Sequence, residues 1–537
     1  MFLNGVREMS SFNFYKNLVN FNDVKSKTLI CIKLLMLLLS GLILMSVFLE
    51  LFNITGIASF SDSPSKFHNY EFFGGDIADN NKVIYTDIVI NFNQFGAKGN
   101  ARYYNFTDSM WYEDINFKIP ASDDSVAIQN AVNYASSLSK PVRIIACPGK
   151  SYYFSKDILI TSSHITIDMQ GARVVSNARF HFKGNPANKN GALEDDSLLL
   201  TDVHFTNATF GNKEYFDVAC RGPKMEFVRN SSISNCNKSA RGGTSFNLSF
   251  AKNCQVNNVH IYGARPVGEK DTIGILLHHT INCIVKDCSV GGSGQWIYGV
   301  QQKGGYDNQW INVVCHDMHD ISKGNIIRDR GDAPYHASGS TGPYPYFKGS
   351  WDKPDSRRAS HNTIFVNCTV RNIPLKAVGF KAREAQGTCF IDCHAFNARG
   401  IVLQKDKLAP ADYDDYYLVK NFEGKNVALP IMIYSDNTIP IQHTNIYGMK
   451  ITNVKPIANV KKSDITISNL ENAQIKDVII EKSKGVSICA ISLDRAKNIT
   501  FTNVKLVDSF YKGNSIILIN NNTCSNNIFD NCNFIKI

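Results

Sequence analysis

Two short columns of basic side chains carry most of the chemistry that this sequence offers. Five segments alternate apolar and polar residues: Ile273-Gly-Ile-Leu-Leu-His-His, Ile297-Tyr-Gly-Val-Gln-Gln-Lys, Asn325-Ile-Ile-Arg-Asp-Arg, Val378-Gly-Phe-Lys-Ala-Arg-Glu and Gly400-Ile-Val-Leu-Gln-Lys. Alternation with a period of two marks a strand, and successive side chains then point to opposite faces. With Ile275, Val300, Ile327, Phe380 and Ile401 turned inward, Leu276, Gln301, Arg328, Lys381 and Val402 point outward. Two residues further on, His278, Lys303, Arg330, Arg383 and Gln404 share that outward face. Strands stack about 4.8 Å apart, so like charges in such columns repel, and a bound polyanion would relieve them. Arginine grips a carboxylate or sulfate bidentately. Cationic neighbours also depress the pKa of a lysine or histidine, which suits it to accept a proton. Lys303, Arg330, Arg383 and His278 are therefore the candidate catalytic residues. Arg328, Lys381, Gln301, Tyr298, Glu384 and Asp271 are the candidate binding residues.

Other chemistries are weaker in the sequence. His316-Asp-Met-His-Asp320 has metal-ligand residue types, but strand alternation turns His316 and His319 to opposite faces, and no metal site is expected there. No paired C-x-x-C marks a zinc site. Asp271, Asp329, Asp332 and Glu384 remain as acids for a two-carboxylate hydrolysis, the runner-up reaction. The net charge of +10 and pI near 8.8 favour an anionic partner. Nucleic acid is not the expected one, because no helix-turn-helix, zinc-finger or RNP motif is present.

The columns need a scaffold, and one returning phrase supplies it. Lys252-Asn-Cys-Gln-Val-Asn-Asn-Val-His-Ile-Tyr-Gly recurs with changed letters from Ile281, Ser360 and Gly387, and more faintly from His443, Lys497 and Ser525. Each unit is a run of alternating residues closed by Gly, Asn or Asp, as in strand, turn, strand. Self-similarity at roughly 20–30 residues indicates a solenoid whose coils bury their inner faces against one another. Most of the 14 cysteines fall inside the phrase and are expected to be buried small hydrophobes. Cys389 and Cys393, four apart on one strand, lie roughly 13 Å from each other and cannot pair. Residues 176–250 appear less regular, and residues 331–359, rich in Pro, Gly and Tyr, suggest a long structureless insertion beside the binding face.

Ahead of the solenoid the chain divides into a polar tail (1–28), an apolar run (29–52) and a Ser/Asn/Asp/Gly-rich linker (53–82). The apolar run is long enough to span a bilayer if Lys33 snorkels, and the basic flank on its N-terminal side sends the rest of the chain across. A membrane-anchored protein with residues 83–537 outside the cytoplasm is expected, or a secreted one if Gly56-Ile57-Ala58 is a cleavage site. Val83 to Gln94 alternates as a strand. One helix is expected from Asp123: Val126, Ile128, Ala131, Val132 and Ala135 form its apolar stripe, with Asp123 and Asp124 at its N-terminus. It would cap the open end of the solenoid.

Phe95-Gly-Ala-Lys-Gly99, then Asp123-Asp-Ser-Val-Ala-Ile-Gln-Asn-Ala131, a strand ending Pro148-Gly-Lys-Ser-Tyr152, and Ile165-Thr-Ile-Asp-Met-Gln-Gly-Ala172 resemble the start of the pectate-lyase-like superfamily. The resemblance covers residues 92–175 by motif and the remainder by repeat pattern. It implies an all-β, right-handed parallel β-helix solenoid with an N-terminal capping helix. It also implies an acidic polysaccharide as partner, bound along one sheet by a lyase or C5-epimerase that removes the proton α to a uronate carboxylate. The Asp pair and Gly-His-Gly turn of family 28-type glycosidases are missing, since Gly294-Gln-Trp-Ile and Ser322-Lys-Gly-Asn stand at the equivalent places. Tailspike members vary their carboxylates and form trimers, so a homotrimer is one assembly the resemblance allows. Lyases of the group can hold a groove calcium, though no carboxylate triplet stands out here, and no other cofactor is expected. A non-catalytic polysaccharide-binding β-helix or adhesin is the remaining alternative.

Overall fold

The computed structural model describes residues 88–537 except 185–195, 265–271, 320–332, 339–359, 406–415, 437, 456–462, 484–488, 510, 512–516, 521 and 535–537. The tail, apolar run and linker expected at 1–28, 29–52 and 53–82 lie outside these residues. Among the described residues no helix is long and apolar enough to cross a membrane.

Residues Ala78–Ile537 form one compact unit, built by winding the chain through three parallel sheets. The face that carries the basic columns runs through Phe180–Lys183, Lys224–Arg229, Phe246–Lys252, Thr272–Ile281, Trp296–Tyr306, Ala333–Ser338, Phe380–Arg383, Arg399–Lys405 and Ala428–Ser435, each paired in parallel with the next. A second face includes Ile165–Asp168, His204–Thr206, Ser232–Ser239 and Gln255–Tyr262. The third is made of three-residue strands such as Ser289–Gly291, Val314–His316 and Thr369–Arg371. Among the described residues one antiparallel pair of strands occurs, the hairpin of Tyr103–Asn105 with Met110–Tyr112. The regular coils begin before the expected phrase, and the described residues of 176–250 wind through strands like those of the later coils.

The repeated phrase has a physical explanation at each letter. Its apolar positions turn inward, where Val256, Val285, Phe365 and Phe390, with Trp310 between the second and third, are buried neighbours in one row. Burying such side chains contributes roughly 1.5–3 kcal/mol each. The cysteines occupy the same interior: those from Cys220 to Cys489 are buried, and the 13 described are all free thiols. The asparagines stand at the corners in the left-handed region, for example Asn312 (φ 55°), Asn367 (φ 49°), Asn372 (φ 53°) and Asn397 (φ 49°). Asparagine tolerates this conformation better than branched residues do. Its amide also reaches the corner of the preceding coil: Asn312 Nδ2 donates to Asp287 Oδ1 at 2.9 Å, and Asn367 Nδ2 to Asn312 Oδ1 at 2.9 Å.

The helix forms at Ser125–Ser137 and packs Ile128, Ala131, Val132 and Ala135 onto the core of the first coils. Val126, expected in that stripe, is 71% exposed. It sits two residues from Ile128, and on a helix that spacing points away. The two aspartates divide their work. Asp123 Oδ1 accepts from the Ser125 amide at 3.0 Å. The carboxylate of Asp124 accepts from the Lys98 and Gly99 amides at 2.8 and 3.0 Å, tying the two halves of the opening motif together. Of the strand expected over 83–94, residues 83–87 lie outside the described ones; Val89–Asn91 is strand, and there Asn91 and Gln94 form a capping box that turns the chain into a 3-10 helix over Phe92–Phe95.

Candidate functional site

The outward rows of the first face are built by register. One row reads His181, Lys224, Asn247, Leu276, Gln301, His336, Lys381 and Val402. The row beside it reads Lys183, Glu226, Ser249, His278, Lys303, Ser338, Arg383 and Gln404. His278, Lys303, Arg383, Gln301 and Lys381 thus stand in the rows expected of them. Tyr298 lies on the same strand as Gln301 and Lys303, and Glu384 follows Arg383 at the edge with φ 49°. Asp271, Arg328 and Arg330, together with the strand expected over 325–330, lie outside the described residues.

One expectation is corrected by the register. The place given to Arg328 and Arg330 between the two flanking coils is filled by Ala333–Ser338, which pairs with Trp296–Tyr306 on one side and Phe380–Arg383 on the other. His336 and Ser338 therefore occupy the rows. The segment expected to be loop is a strand because Tyr335 and Ala337 turn inward and are fully buried. Tyr335 stacks on Phe380 with ring centroids 4.6 Å apart, and its hydroxyl donates to the Thr369 carbonyl at 2.8 Å. The alternation Tyr-His-Ala-Ser was the available signal, and the Pro334 beside it masked it.

His336 is the centre of the site. It is 3% exposed, its ring lies 4.3 Å from that of Tyr298, and neither ring nitrogen has a hydrogen-bond partner among the described residues. Burial holds its pKa well below the ordinary histidine range, and the charges of Lys381, Arg383 and Lys303 push the same way. His278 is lowered to about 4, first by burial and then by Lys303 and Lys224, with Glu226 opposing. Its neighbour His279, 4.5 Å away, is lowered to about 2 by burial, His278 and Lys303. Near neutral pH the rows thus hold neutral imidazoles among fixed cations.

Further toward the N-terminal end lies a cluster that the sequence reasoning did not identify. Glu226 Oε2 meets His181 Nε2 at 3.1 Å and Lys224 Nζ at 2.9 Å, and these bonds pull its carboxyl down to about 2. Toward the C-terminal end the face becomes apolar: Val402, predicted outward, is buried in a cluster with Ala333, Val378, Leu429 and Met432, against which Tyr298 and Tyr434 pack. The His316 segment gathers no metal-ligand set. His316 Nδ1 bonds Asp317 at 2.9 Å, and no group of three or more His, Cys, Asp or Glu side chains suited to a metal occurs among the described residues; Asp320 lies outside them. A cavity of about 410 Å³ is lined by His319, Ile373, Pro374, Leu375, Asn397 and Lys455, and none of the cationic residues above lines it.

In architecture the described chain is a parallel β-helix. No protein-family model and no curated protein matches its sequence. Among solved structures, the A-module of a mannuronan C-5 epimerase from Azotobacter vinelandii aligns over 82% of this chain and 99% of its own, at 11% identity and a TM-score of 0.49. The catalytic unit of a GH87 α-1,3-glucanase from Streptomyces thermodiastaticus covers 84% of this chain and 69% of its own, at 11% identity and a TM-score of 0.42. A surface adhesin of Streptococcus pneumoniae covers 78% and 90%, at 11% identity and a TM-score of 0.42. Similarity of this extent leaves the chemistry of the β-helix to be argued from its own residues.

Proposed function

We propose that the β-helix binds an acidic polysaccharide along its outward rows and removes the proton α to a uronate carboxylate, as a lyase or a C5-epimerase. The observation that carries this is His336, a neutral imidazole with no hydrogen-bond partner among the described residues, flanked by Lys303, Lys381 and Arg383. The cations neutralise the substrate carboxylate and so acidify the adjacent C–H. His336 accepts the proton. In β-elimination the electron pair left on carbon expels the glycosidic oxygen, which takes a proton from Tyr298. In epimerisation a proton from water returns to the opposite face of the same carbon, since Tyr298 packs against His336 on the same side. His278, one coil before Lys303, is the second base of the rows.

Hydrolysis by paired carboxylates finds little support in these rows. The row of Glu226 continues past Gln404 through Tyr434 and Ser468 to Asp494, and nine coil steps separate these two, its carboxylates among the described residues. At about 4.8 Å per coil this is roughly 43 Å, whereas glycosidases place theirs within about 10 Å. Glu226 is moreover held ionised by His181 and Lys224, which unfits it as a general acid.

The test is to incubate the full chain with a panel of acidic polysaccharides. Ultraviolet absorbance follows the unsaturated product, and proton NMR in heavy water follows exchange at C5. His336→Gln is expected to lower either signal by about 10²–10⁴-fold. Binding without either reaction in the wild-type chain would leave a polysaccharide-binding scaffold, and new reducing ends without unsaturation would move the chemistry to carboxylates outside these rows.

A further inference from the structure

The second face carries a hydrogen-bonded side-chain relay that the basic rows do not use. His204 Nε2 lies 2.7 Å from Asp202 Oδ1, and His204 Nδ1 lies 2.8 Å from the hydroxyl of Ser232 in the next coil. The other oxygen of Asp202 bonds His164 Nδ1 at 3.1 Å. These bonds to the two histidines hold the Asp202 carboxyl below its ordinary range. An ionised carboxylate only accepts hydrogen bonds, so in the neutral ring Nε2 keeps the proton. Nδ1 is then left to accept from the Ser232 hydroxyl. This is the ordering of orienting acid, base and nucleophile that activates a serine.

The fold provides an internal comparison. Asn258, His260 and Ser289 repeat the arrangement at another corner, with His260 Nδ1 2.9 Å from Ser289 Oγ and Nε2 3.0 Å from Asn258 Oδ1. Both sets follow from one rule of the coil: a left-handed corner residue, a histidine two positions on, and a serine beside it in the following coil. They differ at the corner. Asn258 is a neutral amide and cannot stabilise an imidazolium by charge, whereas Asp202 can.

We infer that Ser232 is a nucleophile toward carboxylic esters, with His204 as its base and Asp202 as the residue that orients and charges that base. The substrate class is an O-acyl ester. The Ser232 oxygen bonds to the acyl carbon as its proton passes to His204 Nδ1, and the alcohol leaves with that proton. Water, giving a proton to Nδ1, then attacks the acyl-serine, releases the carboxylic acid and lets the proton return to Ser232. Gln255, next to Ser232 in the row, carries an amide able to donate to the oxyanion. Ser232 is 6% and His204 2% exposed, while the side chain of Asp202 keeps 21% at the corner. The inference is independent of the basic rows.

The test treats the full chain with a fluorophosphonate probe and maps the labelled peptide, with hydrolysis of 4-nitrophenyl acetate as a second readout. Label at Ser232 is expected, abolished in Ser232→Ala and slowed by about 10⁴-fold in Asp202→Asn, the size of effect that losing the orienting carboxylate has in serine triads. Ser289→Ala should leave the labelling unchanged. Circular dichroism reports that the near-isosteric Asp202→Asn is folded. No label at Ser232 in the wild-type chain, or undiminished label in Asp202→Asn, would overturn the inference and leave the relay a polar ladder between coils.

Discussion

The electrostatics of the basic rows can be tested through one histidine, His278. Its pKa in the folded chain is lowered to about 4 from an ordinary 6.5, so folding disfavours the imidazolium. As pH falls, the unfolded chain takes up this proton first. The stabilisation contributed is therefore fully present above 6.5 and is lost as pH drops toward and through 4. At about 1.36 kcal/mol per unit the difference approaches about 3 kcal/mol by pH 4. Chemical denaturation at pH 7 and pH 4 measures it: wild type should lose about 3 kcal/mol more than His278→Gln across that interval. The ring itself can be followed by NMR, with His278→Gln assigning the signal. Lys303, its partner in the next coil, is a named cause of the shift. For charges ~8 Å apart at an effective dielectric of ~40, Lys303→Met should raise the His278 pKa by just under one unit, or about 1 kcal/mol. A bound polyanion should raise it as well, because it offsets the same charge. If His278 titrates near 6.5, insensitive to both Lys303→Met and polyanion, then the rows are well solvated and the basis for a tuned base among them collapses.

Two further outcomes follow from the scaffold. Asp124→Ala leaves two backbone amides of the opening motif without their acceptor at a position 2% exposed. A loss of about 1–3 kcal/mol is expected, seen as faster hydrogen exchange at Lys98 and Gly99; unchanged exchange there would refute the tie. Asn397→Ala should destabilise more than Asn367→Ala, although both stand at φ 49° and both forfeit asparagine's tolerance of that conformation. Asn397 donates to Asn372 at 2.9 Å and accepts from Asn426 at 2.8 Å, whereas Asn367 donates to Asn312 and faces Asp392, which has no proton to give. Each lost bond is worth about 1 kcal/mol, and equal melting shifts for the two variants would contradict the ladder.

The parts legible in the sequence were those that local chemistry dictates. The Asn/Cys phrase announces a corner that needs a left-handed residue and an interior that takes a small apolar one, and both occur at its letters. The outward places of His278 and Lys303 in one row, and of Lys381 and Arg383 in the two neighbouring rows, followed from alternation. What alternation could not choose was which segment pairs with which. Residues 325–330 and 333–338 each alternate acceptably; the arginines favoured the first and Pro334 spoke against the second, yet the ladder holds the second. Register is a property of the neighbouring coil, not of the segment. The Glu226 cluster and the relay on the second face were invisible for the same reason, since their members come from coils 28 to 45 residues apart in the chain.

The corner ladders also have a direction. Each asparagine hands its amide protons to the coil before it and offers its oxygen to the coil after it, so a run of asparagines is a one-way chain of donors. Asp287, Asp317, Asp392 and Asp477 each accept from the following coil, and at each of them the run begins anew. An isosteric Asn→Asp replacement would therefore not be silent inside a run. It would turn a link into a starting point and set two acceptors against each other.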